Sequence, residues 1–179
     1  DINTEVMFLN LGPSHPATHG AIRILTALDG ETILANVNEI GYLHRGFEKT
    51  AEQRTYNQIV PLTDRLNYCS SMLNNIAYVK AVESWMGIEI TERAQFMRVV
   101  LSEFYRVQDH LVCLAANLVD MGGLTNYWYL YNEKEASYDF ISRLTGARLT
   151  SSFTRIGGMY RDFYDGWEDD MEQQLKDIE

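Results

Sequence analysis

The stretch of sequence that decides the fold is residues 91–121, TERAQFMRVVLSEFYRVQDHLVCLAANLVDM. Thr91 is a favourable N-cap residue, and Glu92 suits the first turn because the N-terminal end of a helix attracts negative charge. Gly122 and Gly123 then supply a stop signal. The stretch therefore predicts one long helix. Its apolar residues recur at spacings of three and four and predict a single stripe: Phe96, Val100, Phe104, Val107, Leu111, Leu114 and Leu118.

The rest of the chain after residue 40 also reads as helical. Charged residues at several positions of the long helix lie off the apolar stripe: Arg93, Arg98, Glu103, Arg106 and Asp109. A tyrosine- and tryptophan-rich helix is expected to follow the glycine pair, and a tight loop is expected at Arg155–Gly158. Further helices are predicted over residues 47–54, 66–85, 124–144 and 168–178.

The first forty residues have a different periodicity, which is typical of strands. Alternating apolar residues predict strands over residues 5–10, 21–28 and 32–39. Asp29-Gly30 between the last two is a strong hairpin signal. The sequence therefore predicts an α+β fold, with a small N-terminal antiparallel β-sheet followed by a mainly α-helical body. We expect one domain at 1–40, which includes a histidine loop, and a helical body at 41–179.

Composition restricts the class of protein. The formal net charge is -10, which argues against nucleic-acid binding because neutralising phosphates needs clustered Lys and Arg. Two cysteines are too few for a disulfide scaffold and suit a reducing compartment. The N-terminus lacks signal-peptide features and an initiator Met, and the last helix is polar. We therefore expect the chain to be an N-terminal portion of a longer product, incomplete at its C-terminus.

The segment Gly12-Pro-Ser-His-Pro-Ala-Thr-His-Gly20 holds two histidines in a loop shaped by glycine and proline. One interpretation is a turn in which His15 and His19 hydrogen-bond to nearby backbone. A second is a metal pair, although no third ligand cluster supports it. A third is an imidazole held rigidly for chemistry near neutral pH.

Two further residues have an ordinary interpretation beside a functional one. Tyr68 begins a predicted helix, where a tyrosine is most often a core residue with its hydroxyl group satisfied. Asp120 lies at the C-terminal end of the long helix, where the helix dipole disfavours a carboxylate. It therefore needs a cationic partner or exposure to solvent.

The combination and order of these motifs resemble the 49 kDa subunit, also called the D subunit, of respiratory complex I, the proton-pumping NADH:quinone oxidoreductase. That family is in turn related to the large subunit of nickel–iron hydrogenases, whose fold the chain is expected to share. The resemblance covers nearly the whole chain. The motifs that carry it are Gly12-Pro-Ser-His-Pro-Ala-Thr-His-Gly20, Ile40-Gly-Tyr-Leu-His-Arg-Gly-Phe-Glu-Lys49, Arg54-Thr-Tyr56, Asp64-Arg-Leu-Asn-Tyr68, Leu118-Val-Asp-Met-Gly-Gly123, Thr145-Gly-Ala-Arg148 and Arg155-Ile-Gly-Gly158.

The resemblance implies a role for five residues. In that family, quinone is reduced in a tunnel beside a small iron–sulfur subunit that holds the terminal cluster. The quinone-head histidine falls on His19, its tyrosine partner on Tyr68, and the carboxylate that pairs with the histidine on Asp120. The arginines near the cluster fall on Arg45 and Arg65. The resemblance implies no metal ligand and no iron–sulfur cluster in this chain itself.

The resemblance also implies the setting in which the chain acts. It would be one subunit of a multi-subunit translocase, inactive alone, with ubiquinone or menaquinone as substrate. Its partners would be the iron–sulfur subunit and the other hydrophilic and membrane subunits, with no nucleic acid. The expected location is peripheral, on the cytoplasmic side of a bacterial inner membrane or the matrix side in an organelle.

Two departures bear on the chemistry. The related hydrogenases carry a Cys-x-x-Cys pair where this chain has Asn67 and Ser70, and Cys69 alone cannot replace those thiolates, which argues against nickel chemistry. Many complex I relatives carry a histidine near the terminal cluster where this chain has Thr150. We therefore expect a lower cluster potential that does not depend on pH near neutrality, suited to menaquinone.

Three alternatives remain open at the level of sequence. One is a non-catalytic scaffold paralogue, although such a protein has no need to keep His19, Tyr68 and Asp120 together. Another is the equivalent subunit of a complex that is fed by ferredoxin or another donor. The large subunit of an energy-converting hydrogenase is disfavoured by the missing thiolates.

Overall fold

A computed structural model describes residues 6–179 of the chain. It contains an N-terminal three-stranded antiparallel sheet followed by a mostly helical body, which confirms the predicted α+β fold. The first residue of the predicted strand 5–10 lies outside the described residues. The chain forms two compact units, with the boundary between Glu48 and Lys49. The domain boundary that the sequence suggests, after residue 40, stays a prediction.

The first unit is built on a short meander. Strands β1 (Met7–Leu11), β2 (Arg23–Asp29) and β3 (Thr32–Glu39) pair in the order β1-β2-β3. Asp29 pairs with Thr32, so the two residues between them form the tight turn that Asp29-Gly30 predicted. Gly30 has φ 59°, a conformation that glycine adopts without a steric penalty. The hairpin signal is therefore confirmed.

The helices and a short hairpin follow along the chain. The predicted helix 66–85 begins later than expected, because a 3₁₀ turn over Tyr68–Ser70 precedes it. The tight loop predicted at Arg155–Gly158 joins two short strands. The elements are α1 (Phe47–Ala51), α2 (Tyr56–Thr63), α3 (Ser71–Met86), α4 (Glu92–Asp120), α5 (Leu124–Thr145), β4 (Thr154–Arg155), β5 (Gly158–Met159) and α6 (Trp167–Ile178).

Helix α4 forms where the sequence predicted it, with its cap in place. The Thr91 hydroxyl accepts a hydrogen bond from the Ala94 N–H at 3.3 Å. The predicted apolar stripe is wrong in part, because Phe96 and Leu114 are 63% and 55% exposed. The buried face is rotated around the helix and includes Ala94, Met97, Arg98, Leu101, Ser102, Phe104, Tyr105, Gln108, Leu111 and Ala115.

The core of the second unit is formed by residues of α3, α4, α5 and α6 together with Phe153, and α4 packs against both α3 and α5. The rings of Phe104 and Phe140 meet edge to face with centroids 5.3 Å apart. Burying each such side chain contributes roughly 1.5–3 kcal/mol. These contacts hold α4 and α5 as an antiparallel pair joined at Gly122-Gly123. The core residues are Met72, Ile76, Leu101, Phe104, Tyr105, Phe140, Ile141, Leu144, Phe153, Trp167 and Met171.

A buried ion pair fastens the β4–β5 turn to the helices. Both guanidinium NH₂ groups of Arg98 donate to the carboxylate of Glu83, each at 2.7 Å. Arg98 also donates to the carbonyl oxygens of Arg155 and Gly158 at 3.0 Å. Glu83 in turn accepts from the Gly157 N–H at 2.8 Å. Arg98 therefore lies off the predicted stripe and yet belongs to the interior.

Candidate functional site

The histidine loop of the first unit begins at a residue that only glycine can occupy. Gly12 has φ 87°, and a Cβ atom placed there would lie 1.8 Å from the carbonyl oxygen of Ile22. The Gly12–Pro13 peptide bond is cis. The loop therefore leaves β1 in close contact with the backbone that leads into β2.

The two histidines of this loop have different positions. His15 Nδ1 accepts a hydrogen bond from the Ala17 N–H at 3.2 Å, which agrees with the turn interpretation for that residue. A 3₁₀ turn of three residues, Pro16–Thr18, lies between the histidines, although the sequence predicted no helix there. Proline is tolerated at the first position because its missing N–H would have no partner there. His19 follows in the left-handed region, with φ 48° and an exposed side chain.

Tyr68 lies on a turn formed by residues 64–70, here called the Tyr68 turn, which hydrogen bonds hold in place. The Ser70 N–H donates to the Asn67 carbonyl at 3.2 Å, and the Asn74 side-chain amide donates to the same oxygen at 3.2 Å. Tyr68 itself is 55% exposed. The interpretation of Tyr68 as a core residue is therefore wrong. Its side chain is exposed on a turn that hydrogen bonds hold in place.

The same turn is tied to helix α4. The side-chain amide of Asn67 donates to Asp109 Oδ2 at 3.2 Å. Asp120, the last residue of α4, is exposed. Asp109 and Asp120 are eleven residues apart, which is about three turns and 16 Å along the axis. They consequently lie on the same face of α4, and this face leads from the Tyr68 turn to Asp120.

The two arginines belong to different units. Arg65 is exposed and lies on the Tyr68 turn, where its guanidinium group donates to the Pro61 carbonyl at 3.0 Å. Arg45 is exposed in the first unit. The structure thus brings Arg65 and Tyr68 onto one turn and connects that turn to the helix that ends at Asp120. His19 and Arg45 belong to the first unit, beside the sheet.

The segment that contains Thr150 is fastened to the helices on both sides. The Ser71 hydroxyl donates to the Leu149 carbonyl, and the Tyr105 hydroxyl donates to Ser151 Oγ, both at 3.1 Å. Burial raises the pKa of Tyr105 to about 12, so it is a neutral donor. Thr150 is therefore held in a fixed position.

One residue that sequence reasoning did not single out is Asp64. It is completely buried, and its Oδ2 accepts a hydrogen bond from the Ser152 hydroxyl. Burial raises the pKa of Asp64, and the hydrogen bond from Ser152 offsets this rise only in part. Its position immediately before Arg65 in the motif was the available signal. Nothing in the local periodicity marks it as buried.

The positions that correspond to hydrogenase thiolates contain a hydrogen-bonded pair. The Asn67 amide donates to Ser70 Oγ at 2.6 Å. Burial raises the pKa of the Cys69 thiol, and the charge of Asp109 adds to this effect, so the thiol stays protonated near neutral pH. Within residues 6–179, no group of three or more His, Cys, Asp or Glu side chains is arranged to hold a metal ion.

In the same described range, none of the helices combines the length and the apolarity that crossing a membrane requires.

Comparison with known proteins gives a consistent result. Residues 120–179 match the family described as the 49 kDa subunit of respiratory-chain NADH dehydrogenase. The resemblance that the motifs predicted is therefore confirmed. It is 50% identical over 177 residues to the fused C/D subunit of the NADH-quinone oxidoreductase of Bdellovibrio bacteriovorus, which covers 99% of the chain and 32% of that relative.

Shorter relatives give the same result. The chain is 49% identical over 170 residues to the D subunit of the NADH-quinone oxidoreductase of Pelobacter propionicus, covering 95% of the chain and 42% of the relative. Against the D subunit of Geobacter metallireducens it is 48% identical over 171 residues, covering 96% and 44%. The chain thus spans less than half the length of these curated relatives.

Proposed function

We propose that the chain is the part of a proton-translocating NADH-quinone oxidoreductase subunit that helps to form the quinone-reduction pocket. The observation that supports this most strongly is the exposed phenol of Tyr68 on a hydrogen-bonded turn beside Arg65. A ligand site needs polar groups held in fixed positions on a rigid element. The homology to the D subunits of NADH-quinone oxidoreductases supports the choice of quinone as the ligand.

Three residues would carry the proton chemistry. Reduction of a quinone by two electrons creates two oxygens that each need a proton. The Tyr68 phenol donates a hydrogen bond to one of them, and the His19 imidazole donates to the other. The resemblance assigns to Asp120 the role of the carboxylate that pairs with this histidine.

The arginines would serve the electron donor. Arg45 and Arg65 are exposed cations, and a cation near an iron–sulfur cluster favours its reduced, more negative state. The cluster would belong to a small partner subunit, and we expect its ligands to come from that subunit. The electrons reach the quinone from that cluster. The chain is therefore a subunit of an enzyme and is inactive by itself.

The complex would lie at a membrane, with this subunit on its peripheral side. Its further partners are the other hydrophilic subunits and the membrane subunits that move protons. Loss of protons from His19 and Tyr68 leaves Asp120 without its compensating charge, and rearrangement around that charge provides a link to proton translocation. The expected location is the cytoplasmic side of a bacterial inner membrane or the matrix side in an organelle.

Photoaffinity labelling of the intact membrane complex tests this proposal. A quinone analogue that carries a photoreactive group on its head should form adducts in the Tyr68 turn, in competition with unlabelled quinone. Helix α6 provides an internal control, since labelling there should be absent or insensitive to competition. Competed adducts confined to other subunits would contradict the proposal and favour a scaffold paralogue that binds no quinone.

A further inference from the structure

The carboxyl group of Asp64 joins two segments that are far apart in the sequence. Asp64 follows the last residue of α2 and immediately precedes Arg65. Its Oδ2 accepts a hydrogen bond from the Ser152 hydroxyl. Because Asp64 is 0% exposed, water does not compete for this bond. The bond therefore fixes the beginning of the Tyr68 turn against the segment that contains Ser152.

The segment on the other side of this bond is itself held firmly. The Ser71 hydroxyl donates to the backbone carbonyl of Leu149, and the Tyr105 hydroxyl donates to the side chain of Ser151. Ser152 has φ 47°, a conformation that a residue other than glycine adopts only when its surroundings hold it there. The segment is therefore a rigid support and not a mobile loop.

The far end of the Tyr68 turn has its own anchor. There the Asn67 side chain binds Asp109 of α4 at 3.2 Å and Ser70 at 2.6 Å. Asp64 and Asn67 thus hold the turn from two directions, with Arg65 between them. Removing either anchor frees one end of a short segment.

Burial of the Asp64 carboxyl group has an energetic cost, which its second oxygen shows. Within the described part of the chain, Asp64 Oδ1 is buried without a hydrogen-bond partner, and so is Asn75 Oδ1. Burying a polar atom without a partner is unfavourable, so its presence here calls for an explanation.

We propose that Asp64 is a positioning residue, which through its bond to Ser152 holds the Tyr68 turn where quinone reduction requires it. The Tyr68 hydroxyl and the Arg65 guanidinium both lie on this turn, so a shift of the turn displaces both. The link to quinone rests on the proposed function of Tyr68. The effect of Asp64 on the position of the turn does not depend on that function and is measured separately.

The experiment compares four variants in the intact membrane complex. Asp64→Ala and Ser152→Gly each remove one side of the bond, and glycine accepts the positive φ of residue 152. Asp64→Asn keeps an oxygen that can accept from Ser152. Asp165→Ala changes an exposed carboxylate elsewhere in the second unit and serves as the control.

Two readouts separate position from activity. The first is the alkylation rate of Cys69, a half-buried thiol on the Tyr68 turn, measured by peptide mass spectrometry against the exposed Cys113. The second is the KM for quinone together with kcat in the assembled complex. A change that only destabilises the fold lowers the amount of assembled complex and leaves the KM and kcat of the complex that does assemble unchanged.

We expect Asp64→Ala and Ser152→Gly to raise the relative alkylation rate of Cys69 and to raise the quinone KM by about tenfold, as loss of one aligned hydrogen bond does. Asp64→Asn restores both values toward those of the unaltered protein. The double variant Asp64→Ala/Ser152→Gly is no worse than the more affected single variant, because both remove the same bond.

Three results would overturn the inference. If Asp64→Ala does not assemble, the test rests on Ser152→Gly. Unchanged Cys69 alkylation and an unchanged quinone KM in that variant refute the positioning role of Asp64. Altered alkylation with an unchanged KM refutes the connection to quinone. Fully additive effects in the double variant refute the direct bond as the cause. If Asp64→Ala and Ser152→Gly change the alkylation of Cys69 but Tyr68→Phe leaves activity unchanged, the result would instead count against the proposed function.

Discussion

Glu83 of α3 and Arg98 of α4 form a two-bonded ion pair in the interior of the helical unit, with both N–O distances at 2.7 Å. Their side chains are 7% and 4% exposed. The same two side chains bind the backbone on either side of the β4–β5 turn. One buried ion pair thus joins α3, α4 and the Arg155–Gly158 turn.

We predict that Glu83→Gln destabilises the chain by about 3–5 kcal/mol, because it leaves the buried Arg98 charge without compensation. Burial by itself would raise the pKa of Glu83, but hydrogen bonds from Arg98 and Gly157 outweigh it and lower the pKa. The carboxylate therefore stabilises the fold above its unfolded pKa of about 4, and this contribution is lost as pH falls through the folded value.

Thermal unfolding of the two proteins between pH 3 and pH 7 provides the measurement. The difference in Tm should be largest near pH 7 and should shrink in acid. Glu103→Gln, which alters an exposed pair with Arg106, is the matched control and should leave Tm nearly unchanged. A Tm difference that grows toward low pH would show that this account of the pair is wrong.

Asp64 should give the opposite dependence on pH. Burial raises its pKa, so its contribution to the free energy of unfolding is fully present below the unfolded pKa of about 4 and is lost as pH rises through the folded value. Asp64→Asn has no carboxyl group to ionise. We therefore predict that the Tm of this variant relative to the unaltered protein increases from pH 4 to pH 8. A relative Tm that is flat or decreasing would contradict the raised pKa.

The rotated buried face of α4 predicts unequal effects at two phenylalanines of the sequence-predicted stripe. Phe104 is 3% exposed and Phe96 is 63% exposed. Phe104→Ala should lower the free energy of unfolding of the chain by about 3–5 kcal/mol, through lost burial and the cavity left behind. Phe96→Ala should change it by no more than about 0.5 kcal/mol. Urea unfolding measures both changes in the free energy of unfolding. Equal changes would support the stripe that the sequence predicted and contradict the rotated face.

The histidine loop predicts a sharp difference between two glycines. A Cβ atom at Gly12 would meet the Ile22 carbonyl oxygen at 1.8 Å, whereas one at Gly20 has nothing within 4 Å. Gly12→Ala should displace the loop that carries His19 and reduce quinone reductase activity of the assembled complex by about 100-fold, because small misplacements of a catalytic group are costly. Gly20→Ala should retain activity. Equal activities would argue that His19 has no role that depends on loop shape.

Local signals predicted the elements whose ends are marked by strong cap or turn residues. The Asp29-Gly30 turn and the Thr91 cap are determined by their own backbone chemistry. The missed helix was α2, which contains Pro61. A Thr-x-x-Gln signature marked its start, since Gln58 Oε1 accepts from the Thr55 N–H at 3.2 Å.

Burial of charged residues was not predictable from local pattern. Arg98 and Asp64 are enclosed by partners from distant segments, Glu83 and Ser152, and periodicity contains no information about such pairings. The candidate site shows the same limit. The motifs named Tyr68 as a candidate, but only the tertiary contacts of Asn67 and Asp64 explain why its turn is rigid.

The central claim, that Tyr68 donates a hydrogen bond to quinone, is tested most directly by Tyr68→Phe in the intact membrane complex. Assembly is checked on a native gel, and Tyr129→Phe, at a 67% exposed tyrosine of α5, is the matched control. We predict normal assembly and a loss of at least about 100-fold in kcat/KM for quinone, with the control unaffected. Normal assembly with unchanged kcat/KM would contradict the account and favour the scaffold paralogue.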